Sequence, residues 1–397
     1  MIDPIYITGS GIVSAIGVGK AETLSSLMAG KTGIRKMKYL PSCHRELPVG
    51  EVPLSNTEMM QMLGVADDIH LTRTALLGRL ALQEALQEAG LTGDALRTVP
   101  FISATTVGGM DRRELFHAQM HLCDKDLALI GSHNCADCTE MIAGPYGRFA
   151  SLSTLSTACS SATNAIITGA NMLCCGLADI VVVGGAECLT MFHLNGFNAL
   201  MILDHQPCRP FDRDRAGLNL GEGAVYLVME TAASVSRRGV TPLCRLQGYG
   251  NACDAYHQTA SSPEGEGAFL AMSKALQTAG LSPDDIHYVN AHGTGTPNND
   301  ESESRALRRL FCHHLPPVSS TKSFTGHTTS ASGSIEAVIC LLAICHQFLP
   351  PNIHWQTPMD DGIIPVMNPH PQTEIRYVLS NAFAFGGNDS SIVLSKP

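Results

Sequence analysis

The segment LSTACSSA, residues 155–162, places Cys159 between a strand-like stretch (residues 150–156) and a helix rich in small residues. At a helix N-terminus, the unpaired backbone N–H groups and the positive end of the helix dipole favour an anion. A thiol at this position is therefore expected to be biased toward the nucleophilic thiolate, and the same N–H groups can bind an oxyanion. The alternative is a small buried cysteine in a close-packed turn.

Three later turns have a similar context. NAHGTGTP at residues 290–297 follows a strand-like stretch, and TKSFTGH at residues 321–327 precedes a second helix of small residues. Because ligands of open α/β sheets gather outside the carboxyl ends of the strands, we expect Cys159, His292 and His327 to converge on one site. Paired glycines in SNAFAFGGN, residues 380–388, allow backbone N–H groups to approach a ligand closely.

Together these motifs resemble the β-ketoacyl-acyl-carrier-protein synthases, a family of condensing enzymes. The resemblance runs from the opening strand at residues 5–14, through RPFD (209–212) and GEGA (221–224), to a last strand near Ser391. Within this family, the sequence most resembles the elongating type of synthase. The residues that carry it are Cys159 in STACSSA, His292 in NAHGTGTPNND, Lys322 and His327 in STKSFTGH, and the FAFGGND turn.

The resemblance implies a thiolase fold, an α/β architecture of duplicated βαβ-type halves in five α-β-α-β-α layers. The sequence itself indicates a duplication, because ALQEAGLTGDAL (85–96) is echoed by ALQTAGLSPDDI (275–286). Each copy is typical of a helix end, a glycine C-cap and a loop into a buried strand. Chance similarity of helix ends is the alternative. We expect residues 1–240 to carry Cys159 and residues 241–397 to carry the histidines, together forming one ketosynthase unit.

The resemblance also implies roles in a condensation of two thioesters. Cys159 is expected to accept an acyl group from its carrier, which divides one difficult reaction into two easier steps. The backbone N–H groups of Cys159 and Phe385 are expected to form the oxyanion hole. His292 and His327 are expected to donate hydrogen bonds to the enolate that forms when a malonyl thioester loses carbon dioxide.

Several further residues have expected supporting roles. Lys322 is expected to tune the charge of the site, with Glu336 either as its partner or as an ordinary carboxylate near a helix N-terminus. Phe385 resembles the family's gating aromatic, whereas Phe383 is expected to be a core residue. Val107 falls where the family lines its acyl pocket.

Acyl- and malonyl-carrier proteins are the expected partners. Elongating synthases commonly carry a basic segment before the nucleophile strand, but here residues 121–141 contain only one fixed positive charge, Lys125. Because carrier proteins are acidic, this departure favours a dedicated polyene or polyketide pathway over bulk fatty-acid synthesis. Arg209, Arg213 and Arg73 are the candidate docking residues, with plain surface charges as the alternative.

A homodimer is expected, and a heterodimer with a sister ketosynthase-like subunit is an alternative. Two other functions also stay open. One is a non-catalytic, chain-length-setting subunit, although such subunits usually lose the nucleophile that is present here. The other is a thiolase acting on coenzyme A thioesters, which His292 disfavours.

Composition excludes several other classes. Fourteen scattered cysteines and no signal peptide indicate reduced thiols in the cytoplasm. A net charge of −10 argues against general nucleic-acid binding. The apolar stretch at residues 335–349 contains Glu336 and His346 and is predicted to be a core helix, not a membrane span. HNCADC (133–138) and CHH (312–314) lack the second ligand pair of a zinc site, and no nucleotide or metal cofactor is expected.

Overall fold

The computed structural model describes residues 3–66, 71–119, 134–371 and 374–397. Its strands are β1 (Ile5–Ser14), β2 (Gly17–Val18), β3 (Arg35–Lys36), β4 (Pro48–Val49), β5 (Pro100–Ala104), β6 (Ser151–Leu155), β7 (Ile180–Glu187), β8 (Gly223–Thr231), β9 (Cys244–Cys253), β10 (Tyr288–Asn290), β11 (Val318–Ser319), β12 (Phe348–Leu349), β13 (His370–Pro371), β14 (Tyr377–Ala382) and β15 (Asn388–Ser395). Its helices are α1 (Lys20–Met28), α2 (Asn56–Leu63), α3 (Arg73–Ala89), α4 (Met110–Gln119), α5 (Cys135–Ala143), α6 (Ser161–Cys174), α7 (Met191–Ala199), α8 (Ala232–Arg238), α9 (Glu266–Ala279), α10 (Pro297–Leu310), α11 (Lys322–Thr325) and α12 (Ser332–His346).

Two sets of five strands form the main sheet structure. The order is β11-β10-β14-β15-β9 in the C-terminal set and β1-β8-β7-β5-β6 in the N-terminal set. A short antiparallel pairing of β1 with β9, with Ile5 opposite Leu246, joins them. If the strands of each set are numbered along the chain, both sets have the order 3-2-4-5-1. The two halves therefore have the same topology, as the duplication predicts.

Close helix–sheet packing repeats in both halves. Helix α3 lies over β1 and helix α9 lies over β9. A Cβ on Gly11 would lie 2.0 Å from the carbonyl oxygen of Ala81, and a Cβ on Gly250 would lie 2.3 Å from that of Ala271. Only glycine fits where a helix backbone approaches a strand so closely.

The duplicated segments also end their helices in the same way. Gly90 follows α3 with φ 63° and Gly280 follows α9 with φ 67°, both in the left-handed conformation. Glycine adopts this conformation without the strain that a Cβ causes. In the first half the chain then enters β5, and in the second half β10. The glycine C-caps predicted from the sequence are therefore present.

Helices α6 and α12 form the central layer. They contact each other and strands of both sets, whereas α3 and α9 pack on the outer faces. The layers therefore alternate as helix, sheet, helix, sheet and helix. The boundary predicted at residue 240 falls between the end of α8 at Arg238 and the start of β9 at Cys244, and it stays a prediction.

Helix α12 is buried along nearly its whole length. By length and composition alone, Thr329–His346 could cross a membrane, but 89% of this stretch is buried inside the protein. The helix ends at His346, earlier than the predicted stretch, because Gln347 adopts a left-handed conformation and Phe348 begins β12. The helix is thus part of the core, as predicted.

Candidate active site

The turn between β6 and α6 presents Cys159 to the site. Ala158, just before it, has a positive φ of 50°, a conformation that costs a non-glycine residue about 1–3 kcal/mol and persists only where its surroundings hold it. Ser161 holds this turn at both ends. Its Oγ accepts from the N–H of Thr157 at 2.8 Å and donates to the carbonyl of Ala158 at 2.6 Å.

The two predicted histidines lie next to this cysteine. The Nε2 atom of His327 is 3.1 Å from the Sγ atom of Cys159. The His292 ring lies edge-on to His327, with ring centroids 5.4 Å apart. All three side chains are buried and line the same cavity. The structure therefore brings the three turns together, as their positions after strands suggest.

The ionisation of Cys159 differs from the sequence-based expectation. Burial raises the pKa of this thiol to about 11, although the positive charge of Lys322 and the N–H of Phe385 act in the opposite direction. The resting side chain is therefore a thiol, because burial outweighs the backbone N–H groups that were expected to favour a thiolate. Burial and the nearby Lys322 also hold the pKa of His327 well below its usual value. A neutral imidazole is thus placed to accept the thiol proton.

Lys322 is buried and contacts two members of the site. Its Nζ donates to the carboxylate of Glu336 and to the carbonyl oxygen of His292 at 2.6 Å, and it lies 3.2 Å from Nδ1 of His292. Glu336 is the fifth residue of α12 and is a partner of Lys322, not a carboxylate in the first turn of the helix. Of the two readings of Glu336, the structure favours the ion pair.

This contact also assigns the tautomer of His292. An ammonium group has only donors, so Nδ1 of His292 must accept from Lys322. The proton of the neutral ring therefore resides on Nε2. Burial, followed by the charge of Lys322, keeps the pKa of His292 well below its usual value, so the ring stays neutral. His292 is thus a hydrogen-bond donor toward the cavity.

Glu303, which the sequence analysis did not identify, anchors the NAHGTGT turn through hydrogen bonds to its backbone. Its carboxylate accepts from the N–H groups of His292 at 2.9 Å and Gly293 at 2.7 Å, and from the amide of Asn381 at 3.2 Å. Burial raises the pKa of Glu303 to about 7. In the sequence it is one acidic residue in the polar run NNDESES, which is typical of an exposed helix.

Glu187 is a second unpredicted residue and joins two turns that flank the site. Its carboxylate accepts from Thr105, Thr106 and Val107, and from the N–H of Ser330 at 3.3 Å. Val107 itself is buried and does not line the cavity. Its assignment to an acyl pocket stays a prediction.

The FAFGG turn closes the site over Cys159. Gly386 has φ 81°, which turns the chain so that the N–H of Phe385 faces the thiol. The Phe385 ring stacks on Phe197, with centroids 5.9 Å apart. Phe383 is buried in the core as expected, but its ring also lies 5.9 Å from that of His292.

The cavity has a volume of about 390 Å³. The nucleophile and both histidines are among the residues that line it. Its lining combines apolar and polar side chains. The apolar set is Phe197, Met201, Ile202, Leu218 and Phe383, and the polar set includes Asp254, Thr294, Thr296, Asn298, Asn299 and Asp389.

The three candidate docking arginines have different environments. Arg73 is buried and paired with Glu222 at 2.6 Å, so its assignment to a docking surface is wrong. Arg209 is partly buried and lies 4.0 Å from Asp204. Arg213 is exposed.

No group of three or more histidine, cysteine or acidic side chains is placed to hold a metal within the described residues. Cys135 and Cys138 of the HNCADC segment begin α5, and the buried Cys138 contacts Thr72. His133 and Lys125 lie outside the described residues.

A buried cysteine, two neutral histidines and a lysine within a five-layered, duplicated α/β fold define a condensing enzyme of the thiolase-fold class. Family models narrow this class. The "Beta-ketoacyl synthase, N-terminal domain" matches residues 3–234, and the "Beta-ketoacyl synthase, C-terminal domain" matches residues 243–356. The chain belongs to the β-ketoacyl synthase family, and the predicted thiolase fold is confirmed.

Individual relatives agree with this assignment. The 3-oxoacyl-[acyl-carrier-protein] synthase 2 of Staphylococcus aureus is 33% identical over 99% of this chain and 98% of its own length. The ishigamide ketosynthase/chain length factor structure matches with a TM-score of 0.93 and 29% identity over the whole of both chains. A type II polyketide acyl-carrier protein in complex with its ketosynthase bound to the hexaketide matches with a TM-score of 0.86 and 25% identity, again over both whole chains.

Proposed function

We propose that this chain is a 3-oxoacyl-carrier-protein synthase that condenses an acyl group on Cys159 with a malonyl-carrier protein, releasing carbon dioxide. The observation that carries the proposal is the contact of 3.1 Å between Cys159 and a neutral His327, with His292 donating beside them. The family relatives named synthases of 3-oxoacyl-carrier proteins support it.

The first step is transfer of the acyl group to the enzyme. His327 accepts the proton of the Cys159 thiol at Nε2, and the thiolate attacks the carbonyl carbon of the acyl thioester. The N–H groups of Cys159 and Phe385 hold the resulting oxyanion. When the tetrahedral intermediate collapses, the carrier sulfur leaves with the electron pair and takes the proton from the imidazolium.

The second step forms the carbon–carbon bond. The malonyl thioester loses carbon dioxide, and the electron pair of the broken bond forms an enolate. The Nε2–H of His292 donates to the enolate oxygen, and His327 donates from the other side once solvent has exchanged its ring proton from Nδ1 to Nε2. The enolate carbon then attacks the acyl carbon on Cys159, whose sulfur departs with the electron pair and takes a proton from solvent. The buried positive charge of Lys322 favours both anionic stages.

The carrier protein reaches the site through the open side of the cavity. One similar solved structure contains a ketosynthase in complex with its acyl-carrier protein. This similarity supports a carrier-bound substrate for this chain. Arg213 is exposed and available to an acidic partner, and Arg209 is partly so. A polyene or polyketide pathway is supported by the likeness to the ishigamide ketosynthase/chain length factor. The free thiols of the described cysteines support a cytoplasmic location.

Strand β6 supports a dimer. Among the described strands it pairs only with β5, so its other edge is open, and Leu152 on it is exposed. Open strand edges are usually covered or paired. A second copy of this chain would cover the edge, and a sister ketosynthase-like subunit is the alternative that the ketosynthase/chain length factor structure supports.

The test is the intact mass of the protein after incubation with acyl-carrier proteins, before and after addition of malonyl-carrier protein. We expect an acyl adduct that is absent in Cys159→Ala and that malonyl-carrier protein discharges with release of carbon dioxide. The exposed Cys253, changed to alanine, is the matched control and keeps the adduct.

Other results would point elsewhere. If no acyl carrier gives an adduct, even with a co-purified partner, the chain is a non-catalytic chain-length subunit. If only coenzyme A thioesters give an adduct, the chain is a thiolase.

A further inference from the structure

The two expected donors of the oxyanion hole lie on turns that are far apart in the chain. The N–H of Cys159 belongs to the turn between β6 and α6, and the N–H of Phe385 belongs to the FAFGG turn before β15. Gly386 and Gly387 have φ of 81° and 75°, conformations that glycine adopts freely, so the FAFGG turn has little stiffness of its own. The distance between the two donors therefore depends on what joins the two turns.

Two backbone hydrogen bonds join the FAFGG turn to the loop after β9. The N–H of Gly386 donates to the carbonyl of Gln258, and the N–H of Asp254 donates to the carbonyl of Gly387, both at 2.8 Å. Neither bond reaches the turn that carries Cys159. The connection between the two turns must therefore come from side chains.

Asn164 and Asn388 supply such a connection. Asn388 directly follows the FAFGG turn and begins β15, and Asn164 lies in the first turn of α6. The Nδ2 atom of Asn164 donates to Oδ1 of Asn388 at 2.8 Å and to Oγ1 of Thr157 at 2.9 Å. Because an amide nitrogen has two protons, it can make both bonds at once. The Asn164 amide thus bridges the end of the FAFGG turn and the turn that carries Cys159.

Further hydrogen bonds hold both asparagines. The Oδ1 atom of Asn388 also accepts from Nδ2 of Asn251 at 2.9 Å and lies 3.1 Å from Oγ of Ser160, the residue after the nucleophile. The Oδ1 atom of Asn164 accepts from Oγ of Ser390 at 2.8 Å. These contacts assign the orientation of both amides, because each oxygen faces donors. The bridge is therefore held by neighbours on β9, on β15 and at the start of α6.

We propose that Asn388, through its hydrogen bond from Asn164, sets the distance between the N–H of Phe385 and the N–H of Cys159. This role rests on the proposed function. Asn388 touches no reacting atom, so it is a positioning residue of the oxyanion hole. Loss of one oxyanion donor costs about a hundredfold to a thousandfold in rate, and a donor that is displaced but still present should cost less.

The test is single-turnover acylation of Cys159, followed by intact mass, with the acyl-carrier protein that acylates the wild type fastest. Asn388→Ala is expected to lower the rate constant at saturation about tenfold to a hundredfold. The carrier concentration that gives half this rate should change less than about twofold, because oxyanion donors act on the transition state. The final acylated fraction should equal that of the wild type, whereas partial misfolding would lower it.

A second variant tests the bridge from its other end. Asn164→Ala removes the donor, and alanine is favourable within a helix, so the fold should persist. Its rate constant should fall at least as far as that of Asn388→Ala, and it carries the test alone if Asn388→Ala does not fold. The double variant should be no slower than the slower single variant, because both substitutions break one connection.

Asn171→Ala is the matched control. Asn171 lies two turns further along α6 and accepts from the hydroxyl of Tyr249 on β9 at 2.8 Å. The variant therefore removes a comparable hydrogen bond between the same helix and strand, away from both turns. Its rate constant should equal that of the wild type.

The proposal is overturned if Asn388→Ala and Asn164→Ala acylate at the wild-type rate, if their losses appear only in the acylated fraction, or if the two losses multiply in the double variant. Any of these results with an acylated wild type refutes the role of Asn388 alone. A wild type that forms no adduct refutes the proposed function and this role with it.

Discussion

The Nε2 atom of His327 lies 3.1 Å from the Sγ atom of Cys159, in a site where both side chains are buried. Burial disfavours charge on both partners, raising the pKa of the thiol and lowering that of the imidazole. The resting pair is therefore a thiol and a neutral imidazole. Many reactive cysteines instead have a lowered pKa beside a positively charged neighbour.

This relationship predicts the pH dependence of alkylation at Cys159. Because only the thiolate reacts and the thiol pKa is about 11, the rate with iodoacetamide should rise about tenfold for each pH unit between pH 7 and pH 10. Peptide mass spectrometry follows modification at Cys159 separately from the other cysteines. A plateau below pH 8 would show an ionised resting cysteine and contradict the prediction.

Removing Lys322 should strongly destabilise the protein. Lys322→Met leaves the buried Glu336 carboxylate without its charged partner, and such a change costs about 3–5 kcal/mol. In the double variant Lys322→Met/Glu336→Leu, most of the free energy of unfolding should return, because neither charge is then buried alone. Urea unfolding measures both effects. Activity should stay low in both variants.

The exposed Lys274, changed to methionine, is the control and should alter the free energy of unfolding by less than about 0.5 kcal/mol. A double variant as unstable as Lys322→Met alone would show that packing, not the unpaired carboxylate, causes the loss.

Asp389 should make stability depend on pH near neutrality. Burial and the facing Asp254 raise its pKa to about 7, from a usual value of 3.8. A carboxyl whose folded-state pKa is raised loses stability as the pH rises through that value, and full ionisation here costs up to about 4 kcal/mol. Asp389→Asn avoids this loss.

The melting temperature of Asp389→Asn should therefore exceed that of the wild type at pH 8, and the difference should shrink toward pH 5. Asp285→Asn is the control, since hydrogen bonds from Ser282 lower the pKa of this partly exposed carboxyl. An equal difference at both pH values for Asp389→Asn would refute the prediction.

The close helix–strand contacts should tolerate no side chain. In Gly11→Ala and Gly250→Ala the new Cβ meets a helix carbonyl oxygen, so each variant should lose at least about 1–3 kcal/mol of unfolding free energy. Gly196→Ala is the matched control, because Gly196 lies at an exposed position within helix α7 and nothing lies within 4 Å of an added Cβ. That variant should be neutral or slightly stabilised. Thermal unfolding measures the stability of the three variants relative to the wild type.

Much of the site could be predicted from local sequence. The turn at Cys159 follows from small residues between a strand and a helix, and the C-caps at Gly90 and Gly280 follow from the need for a left-handed residue. The turn containing His292 and the Lys322–His327 segment also follow or precede regular elements. These features depend on a few neighbouring residues, so the sequence displays them directly.

Other features depend on residues far apart in the chain. The sequence did not show that Glu303 holds the His292 turn or that Arg73 is buried against Glu222. In each case the partner lies on a different element, and a charged residue looks the same in sequence whether it is exposed or buried. Whether such a residue is exposed or buried depends on how the helices and strands pack together.

By itself, the sequence indicated the turns that carry Cys159, His292 and His327 and suggested a duplicated fold, because the preferences that form turns and helix ends depend on neighbouring residues. The tertiary structure alone decided the ionisation of that site. Placing α6 and α12 between two sets of strands removes water from Cys159, and this desolvation outweighs the helix N-terminus that favours a thiolate. The same burial selects Glu336 as the partner of Lys322 and so fixes His292 as a donor.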